Sequence, residues 1–250
     1  MKWIFTNTGF NTGKFNMEYD LALAGSCAQD EAYFRLYRWE PYCISLGAGQ
    51  DIKEIDLDKT KSAGLDVVKR PTGGRAILHA EEITYSVVYP LKWDLSPKEI
   101  YNKISQALVN GLVKYNEKLK PLELENIQPN FPALLKESSG SLCFASTAKN
   151  EVKYLGKKLI GSAQRRLLNV VLQHGSILCG GYHRNLPLYL NCSDEEIEKL
   201  KLILDEKTIE LDSILGEPVN YKNLEDSLIA GFQETWNTEF EILHNQEITI

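Results

Sequence analysis

The chain has 250 residues, of which 43% are hydrophobic and 25% charged, and its formal net charge is -6. This acidic balance argues against a general electrostatic attraction to nucleic acid. No apolar stretch is long enough to cross a bilayer, and the N-terminus becomes polar too soon for a signal peptide. We therefore expect a cytoplasmic protein that binds neither nucleic acid nor a membrane.

Five cysteines are scattered along the chain, at positions 27, 43, 143, 179 and 192, without a Cys-x-x-Cys pair. An odd number at wide spacing does not indicate a disulfide framework, so a reducing compartment with free thiols is predicted. The run from Cys179 to His183, with Cys192 nearby, matches none of the common zinc spacings, and no metal site is predicted.

Helical and strand-like segments alternate in the first half of the chain. A helix is predicted over residues 16–29, with Met17, Leu21 and Ala24 on one face. Strands are predicted where β-branched and aromatic residues cluster, at residues 33–39, 66–68 and 83–89. Ser96 and Glu99 then form a capping box that opens a helix with proline at its first position.

The second half continues the same pattern. Residues 152–160 predict a tight hairpin that turns at Gly156 and Lys157, and residues 170–178 supply one more strand, or two. Ser193 and Glu196 form a second capping box, and Leu224, Leu228 and Phe232 mark a last helix. Strands joined by tight turns, without βαβ alternation, favour a mixed, largely antiparallel sheet flanked by helices. The expected architecture is one α/β (α+β) domain over residues 1–250.

Residues 69–79 form the first segment with possible chemistry. Gly73 and Gly74 would let the backbone approach a ligand closely, and Arg70 and Arg75 suggest an anionic or carbonyl-bearing group nearby. A hairpin turn with solvated arginines explains the same residues. The segment matches neither a P-loop nor a dinucleotide fingerprint, so it gives no direct support for a nucleotide site.

A second segment, residues 156–166, contains a lysine followed by small residues. Lys158 could place an ammonium beside a narrow tunnel whose floor, Gly161, Ser162 and Ala163, needs little side-chain bulk. A surface hairpin with charged tips is the alternative, and the local sequence by itself favours that alternative.

Cys143 follows a polar loop at residues 128–141 and precedes the lysine-bearing hairpin. A thiol is nucleophilic as the thiolate, and a nearby ammonium lowers the pKa of a thiol by stabilising that charged form. A lone cysteine is more often a small buried apolar residue, which remains the alternative here. Cys27, in a predicted helix, and Cys43, ahead of a strand, fit that packing role better.

Taken together, three stretches resemble the lipoate/biotin protein ligase superfamily, in particular its cysteine-dependent octanoyltransferases. They are residues 70–79, Cys143 with Phe144, and residues 156–164 with 172–178. Weaker likeness extends from residues 15–17 to the helix of Phe232 and so covers most of the chain. The order and spacing of these pieces make the resemblance specific, whereas any one of them alone would be weak.

The resemblance implies the catalytic-domain fold shared with biotin ligases and an acyltransferase activity. Octanoyl would pass from acyl carrier protein to a specific lysine of a lipoyl-domain protein, such as the glycine cleavage H protein. Cys143 matches the thioester-forming nucleophile, and Lys158, which follows it by 158 − 143 = 15 residues, matches the lysine that lowers the pKa of that thiol. No cofactor is implied, because a donor thioester is already activated.

The resemblance also implies which residues bind the acyl substrate. They are Arg70, Gly73, Gly74, Arg75, Ala76, His79, Gly161, Ser162, Ala163 and His174. His79 and His174 are candidate proton carriers or hydrogen-bonded structural histidines. The family's His-Asp pair is here His79-Ala80, so any role of that aspartate is lost or supplied elsewhere, for example by Glu81. A basic rim for docking partners is expected from Lys149, Lys153, Lys157, Arg165 and Arg166.

Three alternatives stay open. The first is an ATP-dependent lipoate ligase, although such ligases usually have a third glycine at the position of Arg75 and often an added C-terminal domain. The second is an octanoyl amidotransferase that moves the acyl group between lipoyl domains. The third is a non-catalytic acyl-binding module, which would bind an acyl chain without forming a covalent adduct.

Overall fold

The computed structural model describes residues 1–91, 95–124 and 151–243. The largest sheet in this part of the chain comprises β1 (Lys2–Asn11), β2 (Glu31–Trp39), β6 (Glu82–Pro90), β10 (Ile160–Leu167), β11 (Val170–Leu178) and β12 (Phe240–Ile242). The strands lie in the order β10-β11-β6-β2-β1-β12. The pairings from β10 to β2 are antiparallel, and β1 pairs parallel with both β2 and β12. The predicted mixed, largely antiparallel sheet is therefore confirmed.

Two small sheets accompany the large one. The first contains β3 (Cys43–Leu46), β4 (Asp66–Lys69) and β5 (Ile77–His79), with β3 parallel to β4 and antiparallel to β5. The second contains β7 (Leu122–Leu124), β8 (Val152–Tyr154) and β9 (Lys157–Lys158), all antiparallel. Residues 170–178, which the sequence left as one strand or two, form the single strand β11.

The described helices are α1 (Gly13–Ser26), α2 (Leu57–Ser62), α3 (Pro97–Tyr115), α4 (Asp194–Lys207), α5 (Leu211–Leu215) and α6 (Tyr221–Trp236), with 3₁₀ turns at Ile52–Glu54, Glu117–Leu119 and Gly181–Tyr189. Both predicted capping boxes are confirmed, since Ser96 caps α3 and Ser193 caps α4 with the reciprocal glutamate bond. Among the described residues we find no helix with the length and apolar character that a membrane crossing requires.

One face of the large sheet is apolar and packs against α3 and α6. Phe34 of β2 stacks on Phe232 of α6 with ring centroids 3.9 Å apart. The two helices meet at Gly111 and Gly231, where an added Cβ would overlap the backbone of the other helix. Glycine at both positions permits this close approach, which buries the apolar stripe of α3 between the sheet and α6.

The opposite face of the sheet carries polar side chains, and α1 lies over it. The buried residues of this helix include Asn16 and Asp20, whereas Leu21 is 44% exposed. The predicted apolar face was therefore wrong at Leu21, although Met17 is buried as predicted. The face that α1 turns to the sheet instead combines the polar Asn16 and Asp20 with the apolar Tyr19 and Leu23. The helix also begins three residues earlier than predicted, at Gly13, with Thr12 as its N-cap.

The tight hairpin predicted between β8 and β9 is present, but its turn lies one residue earlier. Tyr154 pairs with Lys157, so the two turn residues are Leu155 and Gly156. Both have positive φ, 48° and 80°, as a type I′ turn requires. Glycine therefore occupies the second turn position rather than the first, and the strand pairing holds the exposed Leu155 in the left-handed region.

His183 is a buried structural histidine next to the end of β11. Its Nδ1 faces the carbonyl of Gly180 at 3.2 Å and its Nε2 faces the hydroxyl of Thr208 at 3.0 Å. Burial lowers the pKa of His183 from 6.5 to about 4, with the positive charge of Arg184 as a second cause. Within the described residues, no group of three or more His, Cys, Asp or Glu side chains could hold a metal ion.

The lowered pKa of His183 predicts a pH-dependent stability. An unfolded histidine titrates near pH 6.5, whereas this one binds a proton in the fold only near pH 4. Acidification between these values therefore favours the unfolded chain, and the free energy of unfolding should fall by up to about 3 kcal/mol. Urea unfolding at pH 7 to 4.5 should show a shallower pH dependence for His183→Gln. Equal slopes for the two proteins would contradict this assignment.

Candidate active site

A pocket lies on the polar face of the large sheet and crosses four strands. Its floor contains one row of residues in register, with Gly161 opposite Ser176, Ser176 opposite Thr84, and Thr84 opposite Tyr37. Neighbouring strands lie about 4.8 Å apart, so the row spans about 14 Å. Met17 of α1 and Ser45, Arg70, Ile77 and His79 also line the pocket, together with Trp39, Ser162, Ala163, His174 and Gly175. The cavity itself is narrow, with a volume of about 20 Å³, and the space between its walls is about 350 Å³ when the open solvent at its mouth is counted.

His79 is held at the pocket wall by a buried carboxylate. Its Nδ1 lies 2.8 Å from Oε1 of Glu82, which also accepts bonds from the hydroxyls of Thr84 and Ser176. The ring stacks on Trp39, with centroids 4.1 Å apart. Burial alone would raise the pKa of Glu82, but the charge of His79 and these hydrogen bonds outweigh it and lower the pKa of this carboxyl. Glu82 is therefore ionised at neutral pH, which assigns the Nδ1 proton to His79.

Arg70 is fully committed within the protein. Its Nη1 donates to the carbonyl and hydroxyl oxygens of Ser45, and its Nε and Nη2 donate to the carbonyls of Gly73 and Arg75. These five contacts match the five N–H donors of a guanidinium. Ser45 in turn contacts Nε2 of His79 at 2.7 Å. Arg70 therefore holds the loop that contains Gly73 and Gly74, which we call the glycine loop, and extends the hydrogen-bond chain to His79. Its N–H groups are not available to bind an anion.

His174 belongs to a second buried network. Its Nδ1 lies 3.3 Å from Oδ2 of Asp20, and its Nε2 lies 2.5 Å from the hydroxyl of Thr72. Burial lowers the pKa of His174 despite the opposing charge of Asp20. The ring is consequently neutral near pH 7, with Nδ1 donating to Asp20 and Nε2 accepting from Thr72.

The polar side chains of the pocket wall are already hydrogen-bonded to other groups of the protein. Besides the contacts above, Ser162 bonds to Tyr85, the indole N–H of Trp39 donates to Thr84, and the hydroxyl of Tyr37 donates to Asp20. A group already bonded to the protein gains little from a polar ligand, and the wall presents mainly carbon to the cavity. The arrangement suits an apolar chain.

Lys158 lies in β9, three residues before Gly161 enters the pocket floor. Its side chain is completely buried, and its Nζ lies 2.9 Å from Oε1 of Glu151, whose side chain is 3% exposed. A buried ammonium is stable only with compensating charge and hydrogen bonds, and Glu151 supplies such a charge. The surface-hairpin alternative for Lys158 is therefore wrong, although the hairpin tip at Leu155 is exposed.

Cys143, the predicted nucleophile, lies outside the described residues. The four described cysteines are free, and burial raises the pKa of each of them. The pKa of Cys27 rises to about 12, and those of Cys43, Cys179 and Cys192 also lie above the ordinary thiol range. None of the four lines the pocket. They are packing residues, poorly suited to act as thiolates.

The structure gathers some of the predicted substrate-binding residues and separates others. Arg70, His79, Gly161, Ser162, Ala163 and His174 line the pocket. Gly73 and Gly74 are exposed, and Ala76 is buried behind the wall. The φ of Gly74 is 96°, so glycine is required there by the turn itself. The carbonyl groups of Gly73 and Arg75 serve the pocket indirectly, as acceptors for Arg70.

The carboxylate beside His79 is Glu82, not Glu81. The side chain of Glu81 instead accepts a hydrogen bond from the backbone N–H of Tyr182. In β6 the residues Glu82, Thr84 and Ser86 alternate with Ile83 and Tyr85, so Glu82 faces the pocket side and Glu81 precedes the strand. This alternation could have identified Glu82 from the sequence. No sequence pattern indicated that Asp20 supports the pocket, because its contacts with Arg35 and His174 span 15 and 154 residues.

The predicted basic rim is only partly described. Lys149 lies outside the described residues. Arg165 and Arg166 are exposed on β10, which borders the pocket and is the outermost strand of the large sheet within the described part of the chain. Arg165 donates to the carbonyl of Pro71, and Lys157 donates to the carbonyl of Asp205. These hydrogen bonds hold the side chains of Arg165 and Lys157 against the protein surface.

The model of the lipoyl protein ligase A/B catalytic domain matches residues 12–233. The chain belongs to this family. It is 36% identical over 248 residues to the octanoyltransferase LipM of Kyrpidia tusciae, covering 96% of this chain and 89% of that relative. It is 33% identical over 257 residues to the octanoyltransferase LipM of Staphylococcus aureus, covering 98% and 91%.

Solved structures of lipoyl protein ligase relatives share the same fold. Lipoate-protein ligase A bound with ATP matches with a TM-score of 0.76 at 20% identity, covering 99% of this chain and 91% of that one. The bipartite lipoate protein ligase of Thermoplasma acidophilum matches with a TM-score of 0.76 at 22% identity, covering 99% and 89%. At these identities the likeness shows the fold alone, and it confirms the predicted lipoate ligase architecture.

The contact between Glu82 and His79 predicts unequal effects of two neighbouring substitutions. Glu82→Gln replaces a buried carboxylate that accepts three hydrogen bonds, and it should lower the free energy of unfolding by about 2 kcal/mol. Glu81→Gln changes an exposed side chain and should cost less than about 0.5 kcal/mol. Urea unfolding of both variants at pH 7 tests this difference, and equal losses would contradict it.

Proposed function

We propose that the protein is an octanoyltransferase that transfers octanoyl from acyl carrier protein, through a thioester on Cys143, to a lysine of a lipoyl-domain protein. The glycine cleavage H protein is one such acceptor. Two relatives that are 36% and 33% identical over nearly the whole chain are named octanoyltransferases. The observation that carries the proposal here is the pocket, whose polar wall groups are bonded to the protein.

The row of residues under the pocket is long enough for a medium-length acyl chain to lie along it. Seven C–C bonds of about 1.5 Å give an extended octanoyl group a length of about 9 Å. The row from Gly161 to Tyr37 spans about 14 Å across four strands. Each buried CH₂ contributes about 0.8 kcal/mol, so the tail supplies most of the binding energy and needs few polar contacts.

Cys143 is the candidate nucleophile by sequence match and by elimination. The four described cysteines are packing residues with raised pKa values. Cys143 precedes Lys158 by 15 residues, and it belongs to the segment that ends where Glu151 contacts Lys158. The ammonium of Lys158 would favour the thiolate, because an opposite charge stabilises the ionised thiol.

The reaction we propose has two acyl transfers. The thiolate of Cys143 attacks the donor thioester carbonyl, forming octanoyl-Cys143 and releasing the thiolate of the carrier. The neutral amine of the acceptor lysine then attacks octanoyl-Cys143, giving the amide, and the amine proton leaves as the Cys143 thiol re-forms. Among the described strands, β10 has a neighbour on one side only, so alternate N–H groups near Gly161 point away from β11 and are candidate donors to the oxyanion.

Glu151 extends the proposed machinery by one residue. Its carboxylate holds the buried ammonium of Lys158 at 2.9 Å, which fixes the direction of the ammonium. A lysine held charged can stabilise a thiolate and an oxyanion, but it cannot accept a proton from the thiol. In this proposal, Lys158 therefore acts through its positive charge.

The hydrogen bonds that Arg70 donates within the protein favour a thioester donor over the rival lipoate ligase activity. A ligase binds a free carboxylate and the phosphates of ATP, for which an arginine fork is well suited. Here all five donors of Arg70 are bonded to Ser45, Gly73 and Arg75. The donor in our proposal is a neutral thioester that needs no ATP and no other cofactor.

The cytoplasm is the compartment that we propose. The four described cysteines are all free, as expected where thiols stay reduced. The donor and acceptor would dock in turn at the β10 edge, where Arg165 and Arg166 are exposed.

Octanoyl-carrier protein should acylate the protein on Cys143. Intact mass spectrometry after mixing should show one octanoyl adduct that hydroxylamine removes, because a thioester is cleaved by this nucleophile. The adduct should be lost in Cys143→Ser and retained in Cys179→Ser, whose buried thiol does not line the pocket. An adduct that survives Cys143→Ser, or no adduct on folded wild-type protein, would refute the thioester mechanism.

The charge of Lys158 should matter most at neutral pH. In Lys158→Ala the thiol loses a neighbouring ammonium and requires a higher pH to ionise. We expect acylation to slow by about 100-fold at pH 7, in the range of one lost electrostatic group, and to recover partly at pH 9. Rapid-quench measurement of adduct formation at both pH values tests this, with Lys222→Ala, which removes an exposed lysine of α6, as a control. Equal loss at both pH values would assign Lys158 a positioning role only.

A further inference from the structure

We propose that Met17, Tyr37 and Trp39 close the inner end of the pocket and thereby limit the length of the acyl chain that the enzyme transfers. This inference rests on the proposed function and deepens it. The three side chains belong to one buried cluster that also contains Cys43, and all three line the pocket. Tyr37 ends the residue row on the side furthest from β10, and Met17 and Trp39 pack with it in this cluster.

The direction of the pocket follows from the burial of the lining residues on each strand; Gly161 itself is buried, but the next two residues of β10 are not. Ser162 and Ala163 of β10 are half-buried, whereas Ser176 of β11, Thr84 of β6 and Tyr37 of β2 are 0%, 2% and 1% exposed. The mouth therefore lies at β10, which is the outermost described strand on that side of the sheet, and the inner end lies at β2. Among the described residues, none from the next strands, β1 and β12, lines the pocket.

Two of the three closing side chains are fixed by hydrogen bonds. The hydroxyl of Tyr37 donates to Asp20 at 3.3 Å, and the indole N–H of Trp39 donates to Thr84 at 2.7 Å. Trp39 also stacks on His79, and the guanidinium of Arg35 lies over the ring of Tyr37. These aromatic rings form a rigid wall, because moving either one breaks a buried hydrogen bond.

Met17 is the adjustable part of the inner end. It is 6% exposed and reaches the two aromatic rings from α1. Its side chain is unbranched and apolar, so its size can be changed without removing a hydrogen bond. A smaller residue at this position would lengthen the apolar space in line with the acyl chain, and a bulkier residue would shorten it.

The test is the chain-length profile of Met17→Ala. Transfer of hexanoyl, octanoyl and decanoyl groups from carrier protein to a lipoyl domain is measured by mass spectrometry as kcat/KM. Wild-type protein should prefer octanoyl. Met17→Ala should raise the decanoyl-to-octanoyl ratio by about tenfold, the effect expected when two further methylenes become buried. Met17→Phe should shift the preference to hexanoyl, which gives a second readout if Met17→Ala folds poorly.

Two matched variants separate this effect from general loosening of α1. Met17→Leu conserves the side-chain volume and should keep the octanoyl preference. Leu23→Ala removes a completely buried side chain from the same helix, in a cluster that does not line the pocket, and should leave the decanoyl-to-octanoyl ratio unchanged.

Unchanged ratios in folded Met17→Ala and Met17→Phe, with octanoyl transfer intact, would overturn the inference while leaving the proposed function standing. A shift of equal size in Leu23→Ala would also overturn it, since the effect would then come from α1 as a whole. Failure of the wild-type protein to transfer any of the three acyl groups would instead refute the proposed function.

Discussion

The buried carboxylate of Asp20 is the interaction on which the pocket depends. It is 0% exposed and accepts hydrogen bonds from Arg35, Tyr37 and Ser86, while His174 lies at 3.3 Å. Burial by itself would raise the pKa of Asp20, but the charge of Arg35 and the contacts with His174 and Ser86 lower it, so the group stays ionised. A buried charge is tolerated only when its lone pairs are satisfied, and four donors from three strands achieve this. The same bonds fix α1 across the sheet.

That attachment determines what the pocket can bind. Because α1 is held by Asp20, Met17 is placed against the aromatic rings at the inner end. The N–H groups of His79 and Arg70 already donate to Glu82, Ser45 and the glycine loop. The pocket wall therefore contains many polar residues, but the surface that it exposes to the cavity is mostly apolar. In the function that we propose, a preorganised wall of this kind would bind an acyl chain without reorganising its hydrogen bonds.

The sequence predicted the elements well where the signal was local. Both capping boxes lie where expected, because each depends on four consecutive residues. The hairpin turn was misplaced by one residue, since only strand register distinguishes Leu155 from Gly156 at the first turn position. The predicted pocket residues Arg70, His79 and His174 do meet in the fold, although the resemblance gave no indication of their partners. Glu82 could have been chosen over Glu81 from strand alternation alone.

The amino-acid sequence by itself determined the alternation that gives the large sheet one apolar face and one polar face. Alternation is equally typical of a sheet with one side in water, and nothing local reveals whether the polar side is covered. Only the tertiary structure decided that α1 and the small sheet of β3, β4 and β5 bury it. Burial turns hydroxyls, imidazoles and carboxylates that water would otherwise solvate into two bonded networks, around Glu82 and around Asp20, because unpaired buried polar groups carry a desolvation cost. The pocket is the space that this covered face encloses.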